Sequence, residues 1–365
     1  MEKAKKNNSK FYAILVRHFE IIRSAFAVAL AMIVIGIIVF STSKQPKDVL
    51  YYFFIGPFTS VRRMGSILQM FVPYLFCGMG MMMMQRANKF NMCIDGAFYI
   101  AMALTSVAAL KLNLPVILLP IVCMLVGTLA GTATAAIPAT LNYKFNAHIV
   151  VCSLMLNYVM QYLGRWILLF KINDPTLTYT GSYVFPDEAV LSKIIPKTSV
   201  HSGLIIALVS FAVIWFIVKK TSLGYSITQV GNNPEYARAC GMNVSKIAIV
   251  SQLIGGALCG LGGAVEVLGT FGQFKSAALL GYGGYGLLIS VVGKNDPVKV
   301  FFAALLIAYL RAGSALMNAN TDIPLEVADV LQGLLVIFLA ASMLLAKTKH
   351  RWLIKTSEVK EGEAA

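Results

Sequence analysis

Apolar runs of roughly 20 residues, the length that spans a bilayer as a helix, recur throughout this chain and dictate its class. A backbone inside hydrocarbon must satisfy its own hydrogen bonds, which leaves helices or closed barrels. Barrel strands would be shorter and would alternate in polarity, and these runs do neither. Charged residues make up 13% and hydrophobic residues 58% of the sequence, whereas soluble domains carry about 25% charge. The expected fold is all-α, a polytopic helical membrane protein.

The net charge of +15 does not imply a nucleic-acid partner. Its basic residues cluster beside apolar runs, as the positive-inside rule requires. Lys3, Lys5, Lys6, Lys10, Arg17 and Arg23 precede the first run. Lys347, Lys349, Arg351, Lys355 and Lys360 follow the last. Both termini are therefore expected in the cytoplasm, which demands an even number of crossings. About ten segments are expected, at 25–40, 67–84, 94–110, 115–136, 149–170, 204–218, 247–271, 277–292, 298–310 and 327–345. The eighth and ninth are short enough to form a re-entrant pair instead. The first run lacks a small-residue cleavage signal and reads as a retained span. This divides the chain into a cytoplasmic N-terminal segment (1–24), a membrane domain (25–345) and a cytoplasmic tail (346–365), with 171–201 the longest external loop.

Six cysteines are scattered without metal-ligand spacing, so neither a zinc site nor a disulfide framework is expected. His18, His148, His201 and His350 read as solvated or interfacial residues.

A polar island at 219–243, KKTSLGYSITQVGNNPEYARACGMN, interrupts the apolar chain on the expected cytoplasmic side. Its chemistry describes a short helix at 234–240. Asn233 suits the N-cap and Pro234 the first helical position. Glu235 and Arg238 complement the helix dipole, and Gly241 can close the helix in the left-handed region. Such a helix is either a docking element or an ordinary turn in a connecting loop.

Glycines and buried polar residues mark a second region. Gly255, Gly256, Gly260, Gly262 and Gly263 suit close helix packing in the seventh segment. Gly281, Gly283, Gly284 and Gly286 crowd the eighth, where each costs about 1 kcal/mol in a continuous helix. A broken helix at membrane depth is tolerated where it is buried in protein or lines a cavity. Asn91 and Asp95 open the third segment, Asn157 lies in the fifth and Glu266 in the seventh. Asp95 and Glu266 read equally as path-lining groups or interhelical hydrogen-bonding groups; Asn157 reads first as packing. Tyr282 and Tyr285 could stack on a base or sugar face, or sit at the interface.

These residues resemble the permease subunits of bacterial ABC importers in the branched-chain amino acid and simple-sugar group. The nucleoside branch, served by a basic-membrane-protein type lipoprotein receptor, is the most similar. The resemblance covers roughly residues 65–345. FNMCIDGAFYIAMA is similar to that branch's FNIGAEGQMLIGA, and KFNAHIVVCSLMLNYV to its stretch ending in TLMLNY. TSLGYSITQVGNNPEYARACGMN resembles the loop that contacts the ATPase, and GYGGYGLLISVVGKNDP is similar to GFDGIAVALLGRNNP. VEVLGT and IPLEVADVLQGL complete six motifs in the family's order. Cys93, Ala97, His148 and Tyr285 depart from the branch's glycine, glutamine, glutamate and aspartate, which opens the substrate to change.

The resemblance implies a transmembrane permease domain in the bacterial cell membrane. Its substrate path would include Phe90, Asn91, Asp95, Asn157, Glu266, Tyr282 and Tyr285. Its ATPase-coupling residues would be Gly231, Asn232, Asn233, Pro234, Glu235, Arg238 and Gly241. It implies three protein partners: an ABC ATPase subunit, a second permease subunit, commonly a non-identical homologue, and a substrate-binding lipoprotein. The chain lacks a GxxxxGK[ST] phosphate loop, so ATP and magnesium would belong to the ATPase and no cofactor to this chain. Nucleosides are the expected substrates and simple sugars the alternative. An ion-coupled secondary transporter would need a midplane ion site, for which Asp95 and Glu266 are the candidates. A membrane enzyme would need a convergent catalytic set, which the sequence lacks.

Overall fold

The computed structural model describes residues 45–324 except Lys197, together with isolated positions within 33–43 and 327–334. The expected first and tenth segments, both basic ends and the motif IPLEVADVLQGL lie wholly or largely outside the described residues. The chain forms two compact units, one of residues 56–312 and one of 1–55 with 313–365. In the second unit, α1 (Pro46–Leu50) opens on a proline at its first position and continues into a π turn, Tyr51–Ile55. Phe53 is buried there, with Gly313 against its carbonyl.

The larger unit is helical. Its elements are α2 (Val61–Arg86), α3 (Ile94–Lys111), α4 (Leu118–Phe145), α5 (Ile149–Ile167), α6 (Gly203–Lys220), α7 (Ser222–Asn232), α8 (Pro234–Ala239), α9 (Val244–Glu266) and α10 (Tyr282–Val292). It also holds the start of α11 (Pro297–Asn320). Among the described residues there is no strand, only isolated bridges at Asn173–Ser182 and Lys193–His201.

Among the described residues, six helices are long and apolar enough to cross a membrane: α2, α3, α4, α6, α11, and α9 with its π turn (Val244–Phe271). The 19 residues of α5 carry Asn157, Gln161 and Arg165, and this helix is not among the six. The 11 residues of α10 reach about 16 Å, half of a hydrocarbon core about 30 Å thick. The expected pair of short segments is corrected: only the eighth is short. The ninth runs 24 residues, because strong helix formers continue past Arg311 through RAGSALM.

α2 is buried almost continuously from Phe71 to Gln85, as befits a helix that is apolar on all sides. α9 packs along α2 and α4. Small residues permit the crossing: a Cβ on Gly131 would stand 2.6 Å from Gly260 Cα.

The expected external loop and the polar island lie at opposite ends of α6, about 27 Å apart for its 18 residues. The loop is a packed cap. Ser182, Phe185 and Leu191 donate backbone hydrogen bonds to Phe274, Gly272 and Leu268 at the end of α9. Phe185, Ala189, Leu191 and Val200 are buried beneath it. His201, expected to be solvated or interfacial, is 1% exposed. Burial pulls its pKa down to about 4, so it is neutral at pH 7. Its Nδ1 accepts from Gly203 N at 3.2 Å, which leaves Nε2–H for Thr270 Oγ1 at 3.2 Å.

Gly131→Val overpacks the α4–α9 crossing and should cost about 1–3 kcal/mol. Gly284→Ala, where a Cβ meets open space, should leave stability unchanged or slightly raised. Thermal unfolding in detergent checks both; equal midpoints would remove the crossing from the determinants of stability.

Candidate functional site

α3 and α10 begin beside each other within the bundle. Helix N-termini carry N–H groups without intrahelical partners, and no water replaces them in hydrocarbon. Asp95, the second residue of α3, serves α10: its Oδ1 accepts from Gly283 N at 2.7 Å. The carboxylate also complements the positive ends of both helix dipoles. Gly283 has no room for a side chain, since a Cβ would stand 2.6 Å from Asp95 Oδ2.

Two asparagines hold the start of α3. Asn91 Oδ1 accepts from Cys93 N at 3.1 Å, and Asn91 Nδ2 reaches Ala135 O on α4 at 3.4 Å. Asn157 Oδ1 accepts from Gly96 N at 2.9 Å, and its Nδ2 donates to Met92 O at 2.7 Å. Both side chains are buried. Their hydrogen bonds join α3 to α4 and α5, the packing role first read for Asn157.

Aromatic rings surround the junction. Tyr282 meets Phe98 and Tyr74 edge-on, with centroids 5.1 and 5.7 Å apart. Tyr285, nearly one turn on, lies 5.0 Å from Tyr74, and the Arg311 guanidinium sits 5.9 Å from the Tyr285 ring centre. Glu266 is 3% exposed, with Thr270 and Tyr282 as polar neighbours, and its Oε2 has no hydrogen-bond partner among the described residues. Asp95, Tyr282 and Tyr285 are half-buried beside exposed Gly284. The structure thus gathers Asp95, Glu266, Tyr282 and Tyr285. Phe90 is 43% exposed and makes no ring contact with them. Tyr74 and Phe98 escaped sequence reasoning, because an aromatic in an apolar run carries no signal of which helix it faces.

The polar island forms two helices where one was expected. Thr221 Oγ1 accepts from Gly224 N at 3.3 Å and starts α7. Asn233 Oδ1 accepts from Tyr236 N at 3.0 Å and starts α8. Pro234 takes the first position, and α8 ends at Ala239 with Cys240 as its cap. Gly241, at φ +78°, donates to Arg238 O while Met242 donates to Ala237 O, both at 3.0 Å. This pattern closes a helix through a left-handed residue. Glu235 and Arg238 pair at 2.9 Å on the surface. Asn232, Asn233, Pro234, Glu235, Arg238 and Gly241 are exposed. Gly231 differs: it is half-buried, and its missing side chain leaves room for the Arg86 carbonyl. A substitution at Gly231 therefore perturbs packing as well as any docking face.

Asp95→Ala removes the acceptor for α10 and should raise amide exchange at Gly283 and Gly284 about 2- to 30-fold, as for a lost cap. Asp95→Asn keeps an oxygen there and should retain most protection. Hydrogen–deuterium exchange of the purified protein checks this; identical exchange in all three proteins would remove Asp95 from that role.

The family described as branched-chain amino acid transport system / permease component matches residues 63–340, more than half of the chain. A glucose ABC transporter permease protein of Haloferax volcanii is 29% identical over 86% of this chain and 85% of its own length. A nucleoside ABC transporter permease protein of Lactococcus lactis is 29% identical, covering 86% and 89%. A guanosine ABC transporter permease protein of Bacillus subtilis is 28% identical, covering 79% and 83%. The Lactococcus and Bacillus strains each supply a second match described by the same substrate. With its apolar spans and this match, the chain belongs to the branched-chain amino acid transport system permease family and is a multi-pass ABC-type permease of the cell membrane.

Proposed function

We propose that this chain forms the translocation path of an ATP-driven nucleoside importer. The observation that carries this reading is the broken α3–α10 junction, where a carboxylate and aromatic rings meet. Tyr282 lies about 16 Å along α10 from the Lys294 turn, which is mid-depth for a bilayer. Broken helices at that depth serve transport sites. Base–aromatic stacking contributes about 1–3 kcal/mol per base, a role for Tyr282 and Tyr285. Asp95 and Glu266 offer acceptors to ribose hydroxyls or base N–H groups. Asn91 and Asn157 hold the junction in shape, and Phe90 adds an exposed ring to the path. The guanosine and nucleoside relatives support the substrate class.

The proposed topology has ten crossings, with both termini and the polar island in the cytoplasm and 171–201 outside. A separate ATPase, holding ATP and magnesium, docks on α8. The capped, exposed geometry of α8 supports this, and so does the absence of a phosphate loop from the sequence. ATP-driven motion at α8 biases the bundle between outward and inward states. A second permease completes the path, a reading favoured by the paired relatives. A substrate-binding lipoprotein delivers substrate at the 171–201 cap. The glucose relative favours a second reading, a simple-sugar permease, since rings and carboxylates also suit sugar faces and hydroxyls.

Uptake by the complete complex in proteoliposomes tests both. ATP-dependent guanosine uptake, competed by adenosine and not by glucose, is expected; glucose uptake without guanosine uptake would transfer the assignment to sugars. Glu235→Lys should lower uptake at least about tenfold with the melting temperature unchanged, since an exposed pair adds little to stability. Normal uptake by that variant would remove α8 from coupling.

A further inference from the structure

A polar cavity of about 260 Å³ opens beside the island, lined by Gln85, Arg86, Asn88, Asn232, Lys294 and Asn295, among others. The charged residues of its lining are both basic, Arg86 and Lys294. Asp296, next along the chain, is paired with Lys219. Arg86 donates one N–H to Asn295 O at 3.1 Å, which leaves further donors on its guanidinium.

The cavity lining holds an unsatisfied group. Gln85 is 8% exposed, and its Nε2 has no hydrogen-bond partner among the described residues. Its Oε1 lies 2.8 Å from Ser290 Oγ, and Asn295 Oδ1 lies 2.6 Å from the same hydroxyl. One hydroxyl proton cannot serve two amide oxygens. Either amide can turn its NH2 toward Ser290, and an anion beside Gln85 selects the arrangement in which Ser290 donates to Gln85 Oε1 and the Asn295 NH2 donates to Ser290. The Gln85 NH2 is then left as a buried donor without a partner, which is costly unless a ligand accepts from it. Asn88, Lys294 and Asn295 are also three of the four non-glycine residues with positive φ among the described residues. Such conformations persist where surrounding structure over-determines them.

We propose that this cavity is an anion site that receives a carboxylate side chain of the ATPase subunit as it docks. The proposal rests on the coupling reading of α8. Asn232 lines the cavity and directly precedes Asn233, the cap of α8. A protein seated on α8 would therefore cover the cavity mouth and exclude water from it. Charge-assisted hydrogen bonds from Arg86, Lys294 and Gln85 match a carboxylate. The site also grips the end of α10, whose other end carries Tyr282, so docking and the substrate junction share one short helix.

Binding of the purified ATPase to the full chain in detergent, measured across salt concentrations, tests this. Arg86→Gln with Lys294→Gln should weaken binding at least about tenfold and flatten its salt dependence. Lys294→Gln alone, at an exposed position, should weaken it in the same direction and guards against misfolding of the double variant. Alanine replacement of ATPase surface carboxylates should find one whose effect is non-additive with the double variant. Unchanged affinity and salt slope in the double variant, with binding weakened by Glu235→Lys, would overturn the anion site and leave coupling standing. Unchanged binding in all of these variants would overturn both. Calorimetric binding of inorganic phosphate, lost in the double variant while ATPase affinity is unchanged, would overturn the carboxylate assignment.

Discussion

The hydrogen bond from Gly283 N–H to Asp95 is the constraint on which this arrangement depends. Two helices begin beside each other in the bundle, and their first N–H groups have no intrahelical partners. A carboxylate at the start of one helix serves the other, and the dipoles of both favour its charge. Asn91 extends the same solution to Cys93, just before α3, and Asn157 to Gly96, in its first turn. Without these side chains the N–H groups of Cys93, Gly96 and Gly283 would lose the acceptors they have. With this hydrogen bond, Asp95 lies against Gly283, the residue next to Tyr282.

Around the junction, stiffness comes from close packing. α2 and α9 form the buried centre, and glycine pairs let α9 lie against α4. Such packed elements switch between discrete arrangements more readily than they deform. α10 is the exception in length. Its C-terminal end meets Gln85 and Arg86 through Ser290 and Asn295, while its N-terminal end meets Asp95. A push at the α7–α8 corner thus has a short rigid route to the proposed substrate junction.

Much of this was legible in the sequence. The cap residues of α8 are local chemistry: Asn233, Pro234 and Gly241 act within a few residues of themselves, so their order alone describes the helix. Of the glycine cluster in the eighth segment, Gly281 stands at the start of α10, while Gly283, Gly284 and Gly286 lie within the helix. Other features were not legible. α7 did not read as a helix, although Leu223, Ile227 and Val230 recur at helical spacing, because polar residues and glycines surround them; Gly224, Ile227 and Val230 bury one face against the bundle. Gly231 read as a docking residue, yet it packs on Arg86 from a distant helix. His201 read as solvated or interfacial and is buried, because the 171–201 segment folds back on α9.

The sequence by itself determined the class of protein, its all-helical membrane character, its family, and the caps of its short helices. All of these rest on composition or on interactions between near neighbours in the chain. Only the tertiary structure decided which polar residues share a site. Asp95 and Gly283, Asn91 and Ala135, Gln85 and Ser290 are far apart in sequence, and each pairing depends on how helices cross. Helix crossing is set by the shapes of small residues meeting across an interface, and no local pattern encodes which glycine meets which backbone.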